Sequence, residues 1–342
     1  MGNPLVTVFM SVYNSEKYIK DSLESILNQT YENIEVLLVD DGSTDRTVDM
    51  IRTYKDGRIR LLQNWRNMGI PYTRNVGLRE AKGEYMAIMD SDDIAEPHRI
   101  ERQIRFLEKY PHIDVLGSFY IQFGGKFEKK VRSRFTDPEE IKAMLLFYNP
   151  IANPSAIIRL KTLKQHGLMY QSEFFVAQDY KLWADLSKVG NIALLPEFLL
   201  RYRFGHNNIS KNSNEEKGNL RKHLIDSIHR DLLKFYKIPL QEEEIQLFND
   251  FFTESYGGNI KNIGELVNVV EKVKKWNKEN RIFNHEQFLK VLDFCILFAI
   301  HHQRLSFQQK VKLYRILTNN RKLADEASIL AKHYYYRIRK IF

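Results

Sequence analysis

The residues with the clearest chemical potential are the carboxylates of Asp90, Asp92 and Asp93, which follow the apolar run Tyr85–Met89. A short apolar run that ends at a polar cluster predicts a buried strand. Three carboxylates at the end of such a strand repel one another unless a cation lies among them. Mg²⁺ and Mn²⁺ prefer oxygen ligands of this kind. The alternative is a polar loop whose aspartates cap the next helix.

The elements that must position this cluster follow an alternating pattern. Apolar runs at 5–12, 34–39, 58–63 and 84–89 predict strands, and helical spacing predicts helices at 16–29, 44–54, 71–81 and 97–110. Ser43 or Thr44 is expected to cap the second helix. The order predicts an α/β fold with a parallel sheet covered on both faces, whose ligands bind at the carboxyl ends of the strands. Polar clusters at 13–14, 40–45 and 90–93 lie there, which indicates a nucleotide-type pocket.

The pattern changes after residue 114. Strands are expected at 114–123, 125–132, 155–159, 192–195 and 198–204, and helices at 138–147 and 179–189. From about residue 212 the pattern is all-α, with helices at 215–237, 241–256, 262–279, 285–302, 306–317 and 321–339. The polar stretch 207–219 suggests a boundary. We therefore predict a catalytic domain at 1–212 and a helical C-terminal domain at 213–342.

Composition limits the function classes. The charge of +9 favours anionic partners such as phosphorylated ligands, an acidic membrane surface or nucleic acid, and the single cysteine excludes an intrachain disulfide. Neither GxGxxG nor GxxxxGK[ST] occurs, which argues against dinucleotide oxidoreductases and P-loop enzymes. No signal peptide or transmembrane run is recognised, so a cytoplasmic location is expected. A nucleic-acid- or polyanion-binding protein is the alternative from a different class, although no zinc or RNP-type motif supports it.

Five motifs together resemble one family. SVYN (11–14), DDGSTD (40–45), NxGxxxxRN (67–75), DSDD (90–93) and QDYKLW (178–183) resemble family 2 inverting glycosyltransferases over residues 4–210. The resemblance implies the GT-A fold, a Rossmann-like nucleotide-sugar-binding domain with a mostly parallel central sheet. It also implies sugar transfer from a UDP-sugar with the help of Mn²⁺ or Mg²⁺.

The resemblance also implies roles for individual residues. Asp92 is the expected metal ligand, and Asp90 is expected to bind the ribose or the metal. Asp179 is expected to be the catalytic base, although Gln178 stands where the family often has Glu. The remaining residues expected to bind the nucleotide sugar are Ser11, Tyr13, Asn14, Asp41, Arg74, Ser91, Arg203 and His206.

Each role has a structural alternative. Asp41 could only shape a turn, Tyr13 could pack, and Asp179 could cap the helix that follows it. Arg74 could pair with the carboxylate cluster instead of binding phosphate. His206 could be a solvated loop residue.

The expected partners are a UDP-sugar and a glycan acceptor that is lipid-linked, part of a polysaccharide or protein-linked. No nucleic acid is expected. The basic, aromatic end of the chain, with Arg321, Lys322, Lys332 and Tyr334–Tyr336, could contact the inner face of a membrane or pack on protein. The C-terminal helices could also form a homo-oligomer.

Overall fold

The structure is a computed structural model that describes residues 2–205, 215–253, 263–303 and 305–318. The first part of the chain alternates strands and helices as the sequence predicts. The elements are β1 (Val6–Val12), α1 (Ile19–Leu27), β2 (Ile34–Asp40), α2 (Thr47–Arg52), β3 (Ile59–Gln63), α3 (Ile70–Glu80), β4 (Tyr85–Asp90), β5 (Ile94–Ala95) and α4 (Arg99–Lys109).

The second part contains shorter elements. They are β6 (Val115–Phe123), β7 (Lys129–Val131), α5 (Pro138–Met144), β8 (Ile157–Arg159), α6 (Leu160–His166), α7 (Gln178–Leu186) and β9 (Ile192–Arg203). Two short 3-10 helices lie at Asn153–Ser155 and Ser172–Phe174.

Among the described residues the strands form one mixed sheet in the order β3-β2-β1-β4-β8-β6-β9-β5, with β7 paired to β6. The pairs β1–β2, β1–β4 and β2–β3 are parallel, which confirms the predicted α/β sheet. Strand β8 is antiparallel to both β4 and β6, whereas β6 and β9 are parallel. The carboxyl ends of β1, β2 and β4 therefore lie at one edge of the sheet.

The core explains why these segments are strands and helices. In β1 and β4 nearly every residue is buried, as expected for strands covered on both faces. Helix α1 buries Ile19, Leu23 and Ile26 at helical spacing. Helix α3 packs closely on the sheet because Gly77 has no side chain. A Cβ there would lie 2.3 Å from the Phe9 ring.

Several local predictions are wrong in detail. Only Lys129–Val131 of the expected strand 125–132 is a strand, because Gly124 turns the chain with φ of 90°. The two strands expected at 192–195 and 198–204 are one strand, β9, whose register shifts against β6 near Pro196. Helix α6 and the short strand β5 were not predicted.

The predicted caps of α2 are also wrong. This helix begins at Thr47, after Arg46, and no side-chain cap is formed at its N-cap position. Ser43 instead accepts a hydrogen bond from the backbone N–H of Asn14. The side chain of Asp45 accepts from the backbone N–H of Thr47.

The chain divides into two compact units. One contains residues 1–145 and 149–224, and the other contains 146–148 and 225–342, so the division falls inside a helix and beyond the predicted boundary at 212. The described helices of the C-terminal part are α8 (Glu215–Phe235), α9 (Glu242–Phe252), α10 (Ile263–Asn280), α11 (His285–His302) and α12 (Phe307–Thr318).

The second unit has an aromatic core. The Phe147 ring lies 4.7 Å from that of Phe252, and Phe283 stacks on Phe288 at 5.2 Å. Within the described residues, no helix has both the length and the apolar character to cross a bilayer. The helix expected at 321–339 and the basic tail lie outside the described residues.

Candidate active site

The ends of β1, β2 and β4 place the predicted site residues side by side. In the register of the sheet, Ser11 pairs with Asp90 and Val12 pairs with Asp40. The hydroxyl groups of Ser15 and Ser91 lie 2.7 Å apart, which links the loops after β1 and β4. The structure therefore brings the three polar clusters together at one edge of the sheet.

The carboxylate cluster Asp90–Asp92–Asp93 begins at the last residue of β4 and continues in the turn before β5. Each of these residues offers a carboxylate oxygen, and the three oxygens lie within 4.8 Å of one another. The Asp93 side chain is buried and belongs to this group. Asp93 Oδ1 accepts from the backbone N–H of Arg203 at 2.7 Å, and Oδ2 is buried without a hydrogen-bond donor among the described residues.

The carboxylates of the cluster are buried and destabilise one another's charge. Burial raises the pKa of Asp93 well above its usual value, and the nearby charges of Asp90 and Asp92 raise it further. Burial also raises the pKa of Asp90, an effect that the Arg74 guanidinium opposes. The cluster thus carries repulsion that a cation would relieve.

Arg74 pairs with the cluster, as the structural alternative proposed. Its Nη2 lies 3.2 Å from Asp90 Oδ1, and only 8% of its side chain is exposed. The Asn153 amide oxygen, assigned from the hydrogen-bond network, accepts from the same guanidinium at 2.9 Å. A phosphate contact by Arg74 stays a prediction.

Asn75, the next residue of α3, binds the segment that leads to Asp179. Its side-chain amide donates to the Tyr170 carbonyl at 2.7 Å and accepts from the Tyr170 N–H at 2.9 Å. Tyr170 lies in the segment that leads to α7, which carries Asp179. Adjacent residues of α3 therefore hold the carboxylate cluster and the segment before the predicted base.

Asp179 lies in the first turn of α7, and Ala177 occupies the N-cap position, so the capping alternative for Asp179 is wrong. Its charge is among the causes that raise the pKa of Asp90, which indicates that the two carboxylates interact. Asn149 Nδ2 donates to Asp179 Oδ2 at 3.1 Å. Asn149 Oδ1 accepts from the Ile151 N–H at 3.0 Å, and this bond fixes the orientation of the amide.

The nucleoside end of the predicted site is formed by the loops after β1, β2 and β3. The Asp41 carboxylate accepts from Asn64 Nδ2 and from the backbone N–H groups of Met68 and Gly69, at 2.8–2.9 Å. It thus holds the start of the NxGxxxxRN motif in place, and about one lone pair of the carboxylate is left to accept a hydrogen bond from a nucleobase. Tyr13 is 46% exposed at the end of β1. Direct contacts of both residues with a nucleoside stay predictions.

Asn14 and Arg203 support the site from within the protein. Asn14 adopts φ of 47°, and its side-chain oxygen accepts from the Thr44 N–H at 2.8 Å. Arg203 Nε donates to the Asp92 carbonyl at 2.7 Å, and its guanidinium lies over the Tyr18 ring. A diphosphate contact by Arg203 stays a prediction, and His206 lies outside the described residues.

Two supporting residues were missed by sequence reasoning. Arg99 is fully buried in α4, where it donates to the Ile88 carbonyl at 2.9 Å, and burial lowers its pKa to about 10. The charges of Asp93 and Asp90 favour its charged form. Asn149 could not be recognised from hydrophobic periodicity, because it lies in a loop and not on the face of a helix or strand. The sequence signal for Arg99 is its position, because it is a basic residue in the helix that directly follows the carboxylate cluster.

The chain is similar in sequence to known glycosyltransferases. The profile of Glycosyl transferase family 2 matches residues 7–176. An uncharacterized glycosyltransferase of Haemophilus influenzae is 36% identical over 244 residues, which cover 68% of this chain and 74% of the relative. The Escherichia coli UDP-Glc:alpha-D-GlcNAc-diphosphoundecaprenol beta-1,3-glucosyltransferase WfaP is 33% identical over 242 residues, or 68% of this chain and 92% of that enzyme.

A solved structure shows the same fold. S. aureus TarS 1-349 in complex with UDP-GlcNAc superposes with a TM-score of 0.60 at 19% identity, covering 92% of this chain and 90% of that one. It thus extends the fold similarity into the helical C-terminal region. Taken with the profile match and the two relatives, this similarity shows that the chain belongs to glycosyltransferase family 2 and has the GT-A fold.

Proposed function

We propose that the protein transfers a sugar from a UDP-sugar to a hydroxyl group of a glycan acceptor and inverts the anomeric configuration. The observation that carries this proposal is the convergence of the ends of β1, β2 and β4, where Ser11 pairs with Asp90, Val12 pairs with Asp40, and three carboxylates meet within 4.8 Å. The charge of Asp179 also contributes to the raised pKa of Asp90. A base and a site for a charged leaving group must lie close together for a single displacement.

The donor would occupy the edge formed by the ends of β1, β2 and β4. Ser11 and Tyr13 would contact the nucleoside, and Asp41 would hold the NxG loop beneath it while offering its remaining acceptor position. This arrangement is rigid before the donor arrives, because the loops after β1 and β2 are joined through Asn14, Ser43 and Thr44. Preformed loops reduce the ordering cost of binding.

The carboxylate cluster fits a hard divalent cation such as Mn²⁺ or Mg²⁺. Its three carboxylates meet within 4.8 Å, and the buried Oδ2 of Asp93 has no donor among the described residues. Asp92 and Asp90 would hold the ion, with Asp93 behind them. When bound, such an ion would neutralise charge on the leaving diphosphate.

Asp179 would take the proton from the attacking acceptor hydroxyl. Asn149 binds Oδ2 of this carboxylate, which leaves Oδ1 to receive the proton. Direct attack opposite the leaving group needs one base and no enzyme nucleophile, so the product configuration is inverted.

The acceptor proposed first is a lipid-linked glycan, because the E. coli relative is named for an acceptor on diphosphoundecaprenol. A free polysaccharide and a protein-linked glycan are the comparison acceptors in the assay. The basic tail and oligomerisation through the helices are separate proposals. Truncation after Asn320, followed by light scattering and liposome flotation, tests both.

The decisive experiment is a donor screen that measures UDP release with Mn²⁺. The variant Asp179→Asn should bind the donor but lose activity by about 10²- to 10⁴-fold, as expected for loss of a general base. Asp49→Asn, the same change at an exposed position of α2, should remain active. Full activity of Asp179→Asn would show that another group is the base.

Failure of every nucleoside diphosphate to stabilise the protein with Mn²⁺ would overturn the transferase proposal. A salt-dependent gel shift with random DNA would then favour the polyanion-binding alternative.

A further inference from the structure

The hairpin at residues 124–134, which joins β6 to β7 and continues beyond β7, is basic and exposed. It contains Lys126, Lys129, Lys130, Arg132 and Arg134 against the single acid Glu128. All five cationic side chains are exposed. Glu128 pairs with Arg201 of β9, so the negative charge of the hairpin's single acid is already neutralised.

Phe127 lies at the tip of this basic hairpin. Its side chain is 80% exposed, the largest exposed fraction recorded for a large hydrophobic side chain in the described part of the chain. Lysines on an edge strand such as β7 can be explained as protection against unwanted strand pairing. That explanation does not account for an exposed phenylalanine at the tip, which would be a liability in water.

Two of the basic side chains, Lys130 and Arg132, lie on one face of the hairpin and contact the same ring. Lys130 Nζ and the Arg132 guanidinium carbon lie 5.3 and 5.2 Å from the centre of the Phe198 ring, which itself belongs to β9. Residues 130 and 132 share a face because side chains alternate along a strand. Two cations thus share one face of the hairpin that carries the exposed Phe127.

We propose that the basic hairpin binds an anionic phospholipid membrane surface, with Phe127 inserted at the level of the headgroups. Clustered Lys and Arg residues are attracted to anionic lipid, and an aromatic ring adds apolar contact at the interface. Single-stranded nucleic acid would call for several stacking rings. In the hairpin 124–134, Phe127 is the one aromatic residue.

The location of the hairpin gives this contact a consequence for the site. Strand β6 ends at Phe123, which pairs with Arg203, and Arg203 contacts both Asp92 and Asp93. Membrane contact at the hairpin would place this edge of the site near the surface where a lipid-linked acceptor lies. This consequence rests on the proposed function, whereas the membrane contact does not.

Flotation of the full chain with vesicles tests the proposal. Vesicles of phosphatidylcholine alone are compared with vesicles that also contain phosphatidylglycerol, and binding is expected with the second kind. The triple variant Lys126→Gln, Lys129→Gln, Lys130→Gln should lower the partition coefficient by about 100-fold, since each cation near an anionic surface contributes about fivefold.

The matched control is Lys55→Gln, Lys161→Gln, Lys164→Gln, which removes the same charge from exposed positions elsewhere in the first unit. It should bind the vesicles within a fewfold of the unaltered protein. Equal binding by the hairpin variant and this control would overturn the proposal. The same conclusion would follow if truncation after Asn320 abolished binding while the hairpin variant still bound like the control.

Insertion of the tip is tested with Phe127→Trp and brominated lipids. Bromolipid should quench the added tryptophan fluorescence relative to the unaltered protein, which has three tryptophans of its own. Absence of added quenching would overturn the insertion. A hairpin variant that loses binding to single-stranded DNA but still binds vesicles would assign the surface to nucleic acid instead. If the protein binds vesicles but releases no UDP, the proposed function fails and the membrane contact stands.

Discussion

Replacement of Arg74 by methionine tests the central electrostatic feature of the site. Arg74 and Asp90 form a partly buried pair, with 8% and 29% of the side chains exposed and the charged atoms 3.2 Å apart. Methionine preserves the apolar stem but leaves Asp90 beside the charges of Asp92 and Asp93 without this countercharge. We expect the protein to remain folded but to be less stable.

The magnitude follows from the burial of the pair. Removing one partner of a fully buried pair costs about 3–5 kcal/mol, whereas an exposed pair contributes about 0–1 kcal/mol. The Arg74–Asp90 pair lies between these limits, so we expect a loss of about 2–3 kcal/mol of unfolding free energy. For a domain of this size that corresponds to a melting temperature lower by about 5–10 °C. Differential scanning fluorimetry without metal measures it.

Addition of Mn²⁺ should separate this effect from ordinary packing loss. If the carboxylate cluster binds the ion, Mn²⁺ supplies the positive charge that the variant lacks, and the variant should gain more stability than the unaltered protein. The control is Arg159→Met, whose guanidinium pairs with Glu84 at 3.4 Å at the other end of β4. An equal Mn²⁺ response in both variants would refute the reasoning.

Three further predictions concern other parts of the structure. Asn149→Ser keeps an acceptor for the turn but loses the bond to Asp179, and we expect kcat to fall by about 10- to 100-fold, as for a lost hydrogen bond to a charged group. Gly42→Ala should cost at least about 1–2 kcal/mol, because φ is +76° and a Cβ would lie 2.5 Å from the Arg66 carbonyl carbon. Asp56 is paired with Arg58, whose hydrogen bonds lower the pKa of Asp56 from 3.8 to about 2. The stabilisation relative to Asp56→Asn should therefore be present at neutral pH and disappear as the pH falls from about 4 to about 2 in thermal melts.

Each of these predictions has a control and a contradicting outcome. Asn191→Ser, just before β9, removes a side-chain bond to the His112 carbonyl instead and should leave kcat unchanged. An equal loss there would remove the special role of Asn149. Gly57→Ala introduces a Cβ with nothing within 4 Å, so a melting temperature as low as that of Gly42→Ala would contradict the steric argument. A pH-independent effect of Asp56→Asn would show that the Asp56–Arg58 pair does not stabilise the fold.

The local pattern of the sequence was enough to predict the first half of the sheet. Strands β1, β2 and β4 are continuous apolar runs, so their burial and their common parallel direction follow from composition and from the helices between them. Polar residues at the ends of these runs come together at one edge of the sheet for the same reason. The longer helices of the C-terminal part were predicted because their apolar spacing is repeated over several turns.

The sequence could not predict the features that depend on pairing between distant segments. The antiparallel placement of β8, the short strand β5 and the continuity of β9 through Pro196 result from neighbouring strands. The hydrogen bond that orients the third carboxylate is another case. Asp93 Oδ1 accepts from the Arg203 N–H because β5 pairs with β9 and brings Arg203 to its side chain.

By itself, the sequence determined the residue types of the candidate site, since several carboxylates at the end of an apolar strand repel one another unless a cation lies among them. Only the tertiary structure decided which groups support them. Arg74 and Asn75 are neighbours on α3, yet one binds Asp90 and the other binds Tyr170, 95 residues further along the chain. Hydrogen bonds between segments so far apart depend on packing, and packing leaves no periodic pattern in the sequence.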